Sequence, residues 1–253
     1  MSRLFGPAVL VLVAVLARQL RDDDPRRLTL ADELLRPSLR HPFGCGDGGV
    51  DLLALASEAL LRGMALAASV ALLALLVGTT LGAWAGLRGG AVARAVQRAC
   101  DLVQAFPSFV LALGVLSAIA RPTRWHVGAV LLVTAWAPFA RLALAELRIV
   151  RGLQYVEAAR ALGAEPLRVL ARHALPATFP VARAQLGSSA SALLVADAAL
   201  SFLGLGPSDG VALGALIDQG VGASLRAPHV LLVGAASLCL GALVLQAVAD
   251  PER

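Results

Sequence analysis

Few residues in this chain are placed to do chemistry. The three cysteines, Cys45, Cys100 and Cys239, make no even framework and no CxxC pair, and the four histidines, His41, His126, His173 and His229, stand far apart. Neither a disulfide scaffold nor a zinc site is indicated. Cys100 and Cys239 lie in or beside apolar segments and read as buried small hydrophobes, which leaves Cys45 as the candidate exposed thiol. Asp47, Gly48 and Asp51 resemble a calcium loop, yet the alternating ligands and terminal glutamate of an EF-hand are missing. The sequence contains no glycine-rich phosphate loop ending in Lys-Ser/Thr, no GxSxG and no HExxH. It cannot be its own ATPase, and catalysis has nothing to stand on. Two features remain: an arginine-bearing polar stretch, Tyr155 to Pro176, and an acid, Asp197, inside a long apolar run.

The elements that position them are membrane helices. Of 253 residues, 58% are hydrophobic and 15% charged, and the mean hydropathy is +0.77, a balance that a soluble domain rarely shows. Met64 to Leu87 offers 24 uncharged positions, Leu102 to Ala120 offers 19 and Ala227 to Ala249 offers 23, each long enough to span. Trp125 to Ala140 is shorter, at 16 positions with Pro138, and Ala184 to Ser208 runs 25 positions interrupted by Asp197. Leu4 to Ala17, with 14 residues, has a length shared by a short membrane helix and a signal-peptide core; we read it as an uncleaved first helix. The expected fold is an all-α integral membrane protein of about six transmembrane helices. Its parts are a first helix over 1–17, an extracytoplasmic loop over 18–63, a core over 64–249 with a cytoplasmic loop at 141–183, and a cytoplasmic tail over 250–253.

All 22 basic residues are arginine, and the pI is near 10.3. A net charge of +5 invites a nucleic-acid reading, but spread over short loops it is what orientation in a membrane requires. With the amino terminus inside, the inner loops carry 12 arginines and 6 acids, the outer ones 10 of each. The excess of positive charge is on the inside.

In the stretch Tyr155 to Pro176, YVEAARALGAEPLRVLARHALP, alanines and leucine favour helix, Gly163 supplies a helix end and Pro166 is pre-set for the next first turn. Pro176 then stops the second helix. Val156, Ala159 and Leu162 share one face, while Glu157, Arg160 and Ala161 turn toward another. Two short arginine-rich helices around a glycine also suit a DNA-reading helix-turn-helix. Flanking spans, which hold the hairpin against a membrane, decide against that and against any nucleic-acid partner.

The hairpin resembles the cytoplasmic loop of permease subunits from binding-protein-dependent ABC importers of type I, in the dipeptide, oligopeptide and nickel branch. Three further segments carry the likeness. His41 to Asp51, HPFGCGDGGVD, is similar to that branch's HPLGTDxxGRD with Cys45 in place of threonine; Asp101 to Pro107 matches around the proline; Asp197 to Pro207, DAALSFLGLGP, is similar to EAGLSFLGLG with aspartate for glutamate and Ala199 for glycine.

The resemblance implies a MetI-like fold, with Glu157 to Gly163 as a coupling helix. Glu157, Ala158, Ala159, Gly163, Leu175 and Pro176 would form the surface docked onto an ATPase. It also implies a translocation path or gate near Asp197, Ser201, Gly204 and Gly206, although Gly204, Gly206 and Pro207 equally suit a plain helix stop. The implied partners are a second permease subunit in a heterodimer, two ABC ATPase subunits, an extracytoplasmic substrate-binding protein and membrane lipid. No cofactor is expected on this chain, ATP and Mg being held by the partner ATPases. The expected place is a bacterial inner membrane and the expected cargo a peptide, with nickel or another small solute as the alternative. A degenerate, non-transporting scaffold that keeps the fold is the reading from a different class.

Overall fold

The computed structural model describes residues 29–150, 153–154, 175–208 and 211–249, with backbone alone at 175–180 and 248–249. Seven α-helices are described: α1 Leu52–Arg88, α2 Gly90–Ala105, α3 Ser108–Ser117, α4 Arg124–Val150, α5 Leu175–Phe202, α6 Leu213–Gly222 and α7 Pro228–Ala249. Three of them, α1, α4 and α7, are long and apolar enough to cross a membrane, and the bent pair α2 and α3 makes a fourth if it counts as one span. The segment Leu4 to Ala17 lies outside the described residues, so the expected six crossings are not reached among them.

Several boundaries differ from those expected, each for a local reason. The loop drawn as far as Gly63 ends at Asp51, whose carboxylate accepts from the backbone N–H groups of Leu53 and Ala54 at 2.9 and 3.2 Å and so starts α1 twelve residues early. His41 Nδ1–H donates to the other oxygen of Asp51 at 2.7 Å, tying the loop to this cap. Arg88 to Asp101, expected as a loop between spans, is largely helical within α2. Leu102 to Ala120, expected as one straight span, is bent by 70° at Phe106 and Pro107, because a residue before proline is pushed out of the α region; Phe106 sits at φ −87, ψ 127. Trp125 to Ala140 is only part of the 27-residue α4, which continues through Pro138.

At the other end of the hairpin, Leu175 and Pro176 lie in the first turn of α5, where proline's missing N–H costs nothing, instead of ending a helix. α5 then stops at Phe202, short of the expected Ser208.

Two thiols also change places. Cys45 is fully buried under the start of α1, where Leu52 N–H donates to Gly44 and Gly46 N–H to Val50. Cys239 faces outward from α7.

The helices share two ends. At one, called upper below, the loop before α1 meets α6 and α7, since Gly44 abuts His229 and Gly46 abuts Gln219, and Ser208 N–H donates to Pro122. At the lower end Arg141 pairs with Asp101 at 2.6 Å and Arg148 donates to Gln97 at 2.7 Å, bracing α4 against α2. Between them a core of small and branched residues joins α1, α3, α4, α5 and α6 through Ala67, Val70, Leu116, Val127, Leu131 and Leu194. At 37 residues, α1 is about 55 Å long and exceeds a hydrocarbon core of about 30 Å. It therefore tilts in the bilayer or extends beyond the lipid tails.

The tightest seam runs between α1 and α4. Gly78, Gly82 and Gly86 recur every fourth residue, on one face of α1. A Cβ built on Gly82 would stand 2.2 Å from the carbonyl oxygen of Ala140, one on Gly78 2.4 Å from that of Trp136, and one on Gly86 2.5 Å from Leu147 Cβ. Only hydrogen fits, and the backbones meet as in small-residue seams of membrane helices.

Gly82→Val should therefore cost about 1–3 kcal/mol of overpacking, read as a lower unfolding midpoint in detergent, while an unchanged midpoint would mean the seam is loose. Asp51→Ala should cost about 1 kcal/mol by removing the cap of α1, in the same measurement.

Candidate functional site

A cleft of about 490 Å³ opens where α3 departs from α2, walled by α4 and α5. Its polar positions are Gln104, Ser108, Thr134 and Ser189, set among Phe106, Leu131, Ala192 and Ala196. Each wall is placed by a local rule. The break at Phe106 and Pro107 turns Gln104 and Ser108 into the opening, and Pro138, in the wall itself, leaves the Thr134 carbonyl without its helical donor. Thr134 Oγ1 donates to Leu131 at 3.2 Å, and Ser189 Oγ accepts from Gln185 at 3.2 Å. Among the described residues, no acid, base, histidine or cysteine lines the cleft. It can offer uncharged donors and acceptors on an apolar bed, and nothing that would ligate a cation strongly.

The sequence-predicted gate residues lie elsewhere. Asp197 and Ser201 are one turn apart on α5, 6% and 5% exposed, at the upper end. Asp197 shares a narrow cavity of about 10 Å³ with Arg62 and Gly63 of α1, Arg124 at the start of α4, and Pro207. Arg62 is engaged by Glu58 one turn before it. Asp197 Oδ1 and Ser201 Oγ are buried without a hydrogen-bond partner. A buried acid is costly unless it is compensated, and the nearby positive charge acting on this one is Arg124. Arg183, on the same continuous helix, is about 21 Å away.

Gly204 and Gly206 form a helix stop. Gly204 takes φ 76, its N–H donates to Ser201 at 3.1 Å, and Leu205 N–H donates to Leu200 at 2.9 Å, the paired bonds of a Schellman ending. Gly206 then folds back onto Ser201, where a Cβ would stand 2.4 Å from Oγ.

Of the residues expected on the coupling surface, Glu157, Ala158, Ala159 and Gly163 fall outside the described residues, and Leu175 and Pro176 are described by backbone alone. Sequence reasoning missed the four polar positions of the cleft, which are ordinary in type and come together only through the α2–α3 bend. It also missed Glu58 and Arg62, whose i,i+4 spacing signals a helix inside the supposed loop.

Comparison with known proteins agrees with this geometry. The family model described as binding-protein-dependent transport system inner membrane component matches residues 78–250. The chain is 29% identical over 97% of its length to a putative peptide transport system permease protein of Brucella suis biovar 1, covering 82% of that protein. It is 30% identical over 98% of its length to the glutathione transport system permease protein GsiD of Pectobacterium atrosepticum, covering 83% of it. Among solved structures it is similar in fold to a chain of the MetNI methionine ABC transporter in an inward-facing conformation, with a TM-score of 0.63 and 19% identity over 78% of this chain and 94% of that one. The paired glycine stop, the kinked helices and the apolar spans thus belong to a member of the binding-protein-dependent transport system inner membrane component family, a non-catalytic permease component of an ABC importer set in the inner membrane.

Proposed function

We propose that this permease carries peptides, and that the cleft between α2–α3, α4 and α5 is its half of the translocation path. The observation that carries this reading is the contrast between two exposed faces. On α1, Leu72, Leu73, Leu76 and Val77 are exposed, and the exposed hydroxyls of Ser69 and Thr80 beside them are closed onto their own helix carbonyls, a surface suited to lipid. The cleft presents Gln104, Ser108, Thr134 and Ser189. Polar groups turned to hydrocarbon lose their water without replacement, so this face belongs to a water-filled path closed by a partner.

A second permease chain supplies the opposite wall in a heterodimer. Uncharged donors and acceptors meet the amides of a short peptide whatever its side chains, and the names of the peptide and glutathione permeases it is similar to support that cargo. Nickel fits less well, because the cleft has no side chain suited to hold it.

The lower end is the cytoplasmic one, a reading supported by the arginine excess that this orientation leaves inside. There Glu157 to Gly163, as a stiff helix, would carry the closure of two ATPase partners into the bundle, with ATP and Mg held on those chains and substrate delivered by a binding protein above. The ATPases shift the balance between two packings of the permease.

In the complete transporter, Thr134→Leu should lower peptide uptake about tenfold, the scale of one misfitted apolar group in a binding site, with assembly unchanged; full uptake would take the cleft out of the path. Glu157→Lys or Gly163→Pro should abolish uptake while the chain still inserts and copurifies with the binding protein. Unchanged uptake would remove the hairpin from the mechanism, and a wild-type complex that neither transports nor stimulates hydrolysis would favour a scaffold.

A further inference from the structure

α4 is held unevenly along its length. From Trp136 downward its backbone is clamped on α1 by Gly78, Gly82 and Gly86, whose hydrogens alone fit against Trp136, Ala140 and Leu147. Above Trp136 the matching contact is softer: a Cβ on Gly128 would meet only the side chains of Leu66 and Val70, at 3.1 and 3.5 Å. Proline inside a helix removes one hydrogen bond of the ladder and is a common place for bending. The upper part of α4, Arg124 to Ala135, is therefore a lever, with its bend at the turn where Pro138 leaves the Thr134 carbonyl without a donor. Its flank, Leu131, Thr134 and Ala135, walls the cleft opposite Ser189, Ala192 and Ala196 of α5. Its tip is Arg124, in the same narrow cavity as Asp197.

That cavity holds an unfinished interaction. Asp197 is 6% exposed with Oδ1 unpartnered, Ser201 Oγ one turn on is buried and unpartnered too, and Arg62 already engages Glu58. Arg124 attracts Asp197 through space from across the cavity. Pro138 lies 14 residues from Arg124, about 21 Å, so a swing of about 10° carries the tip by about 4 Å.

We propose that Arg124 to Ala135 is a gate arm hinged at the turn before Pro138, and that Arg124 and Asp197 are its latch, joining as a direct ion pair when the arm swings toward α5. The same swing narrows the cleft, since one arm walls both. This rests on the cleft being the path. Asp197 and Arg124 are positioning residues here, fixing the arm without touching cargo.

The test is a distance measurement on the complete transporter in lipid discs. Cys239→Ser removes the exposed native thiol while Cys45 and Cys100 stay buried. Spin labels then go at Trp125→Cys and Leu203→Cys, positions 87% and 52% exposed beside the arm tip and the end of α5. Between nucleotide-free and ATP-trapped states the distance should change by about 4 Å. Asp197→Asn, which keeps the volume, should abolish the shorter population and lower uptake, because a neutral amide cannot complete the ion pair. Exchange of the two charges, Arg124→Asp with Asp197→Arg, should restore both. Distances that do not differ between states, or that are the same in wild type and Asp197→Asn, overturn the latch. If the distances shift but the wild-type complex takes up no peptide, the path reading fails and the latch stands.

Discussion

Backbone contact between α1 and α4 is the constraint on which the rest of this structure depends. In lipid no hydrophobic force presses two apolar helices together, so their association relies on close van der Waals packing, and glycine every fourth residue lets the chains approach most nearly. Gly78, Gly82 and Gly86 meet Trp136, Phe139, Ala140 and Leu147 in this way. The clamp fixes the lower part of α4, and the Arg141–Asp101 pair and the Arg148–Gln97 hydrogen bond extend that rigidity to α2. What is left to move is then defined by what the clamp leaves out: the stretch above Trp136.

The upper end is organised on a different principle. There the contacts are polar and capped: Asp51 starts α1 and holds His41, the Gly204 ending stops α5, and Ser208 is tied to Pro122. α6 lies against α5 with Gly214 so close that a Cβ would stand 1.8 Å from the Ala198 carbonyl oxygen. Ser191 of α5 in turn donates to Ala242 of α7 at 2.7 Å. Asp197 sits inside this braced assembly, and Arg124, at the start of α4, lines the same narrow cavity. A rigid seat and a movable tip are what a two-state gate requires.

The sequence made some of this legible and hid the rest for physical reasons. Long uncharged runs announced α1 and α7, because hydrocarbon length is read directly from residue count, whereas the 16-residue run within α4 understated a helix that continues past Arg141. The pattern Asp197 to Pro207 announced a helix ending, since Gly204 at positive φ is a local requirement. The early start of α1 was obscured by Glu58 and Arg62, which look like loop charges until their one-turn spacing is noticed. The bend at Pro107 was hidden inside an apolar run whose length alone suggested one straight helix. The cleft was invisible because Gln104, Thr134 and Ser189 come from three segments, and only folding brings them to one wall. The glycine repeat was in plain view, but its meaning lies in what faces it.

The account's central claim, that one face of this bundle meets water and another meets lipid, is tested most directly by single-cysteine labelling in native membranes with a water-soluble maleimide. Cysteines placed at Thr134 and Ser189 should be modified, and those at Leu72 and Leu76 should be protected until detergent is added. Labelling of the leucine positions with protection of the cleft positions would contradict it.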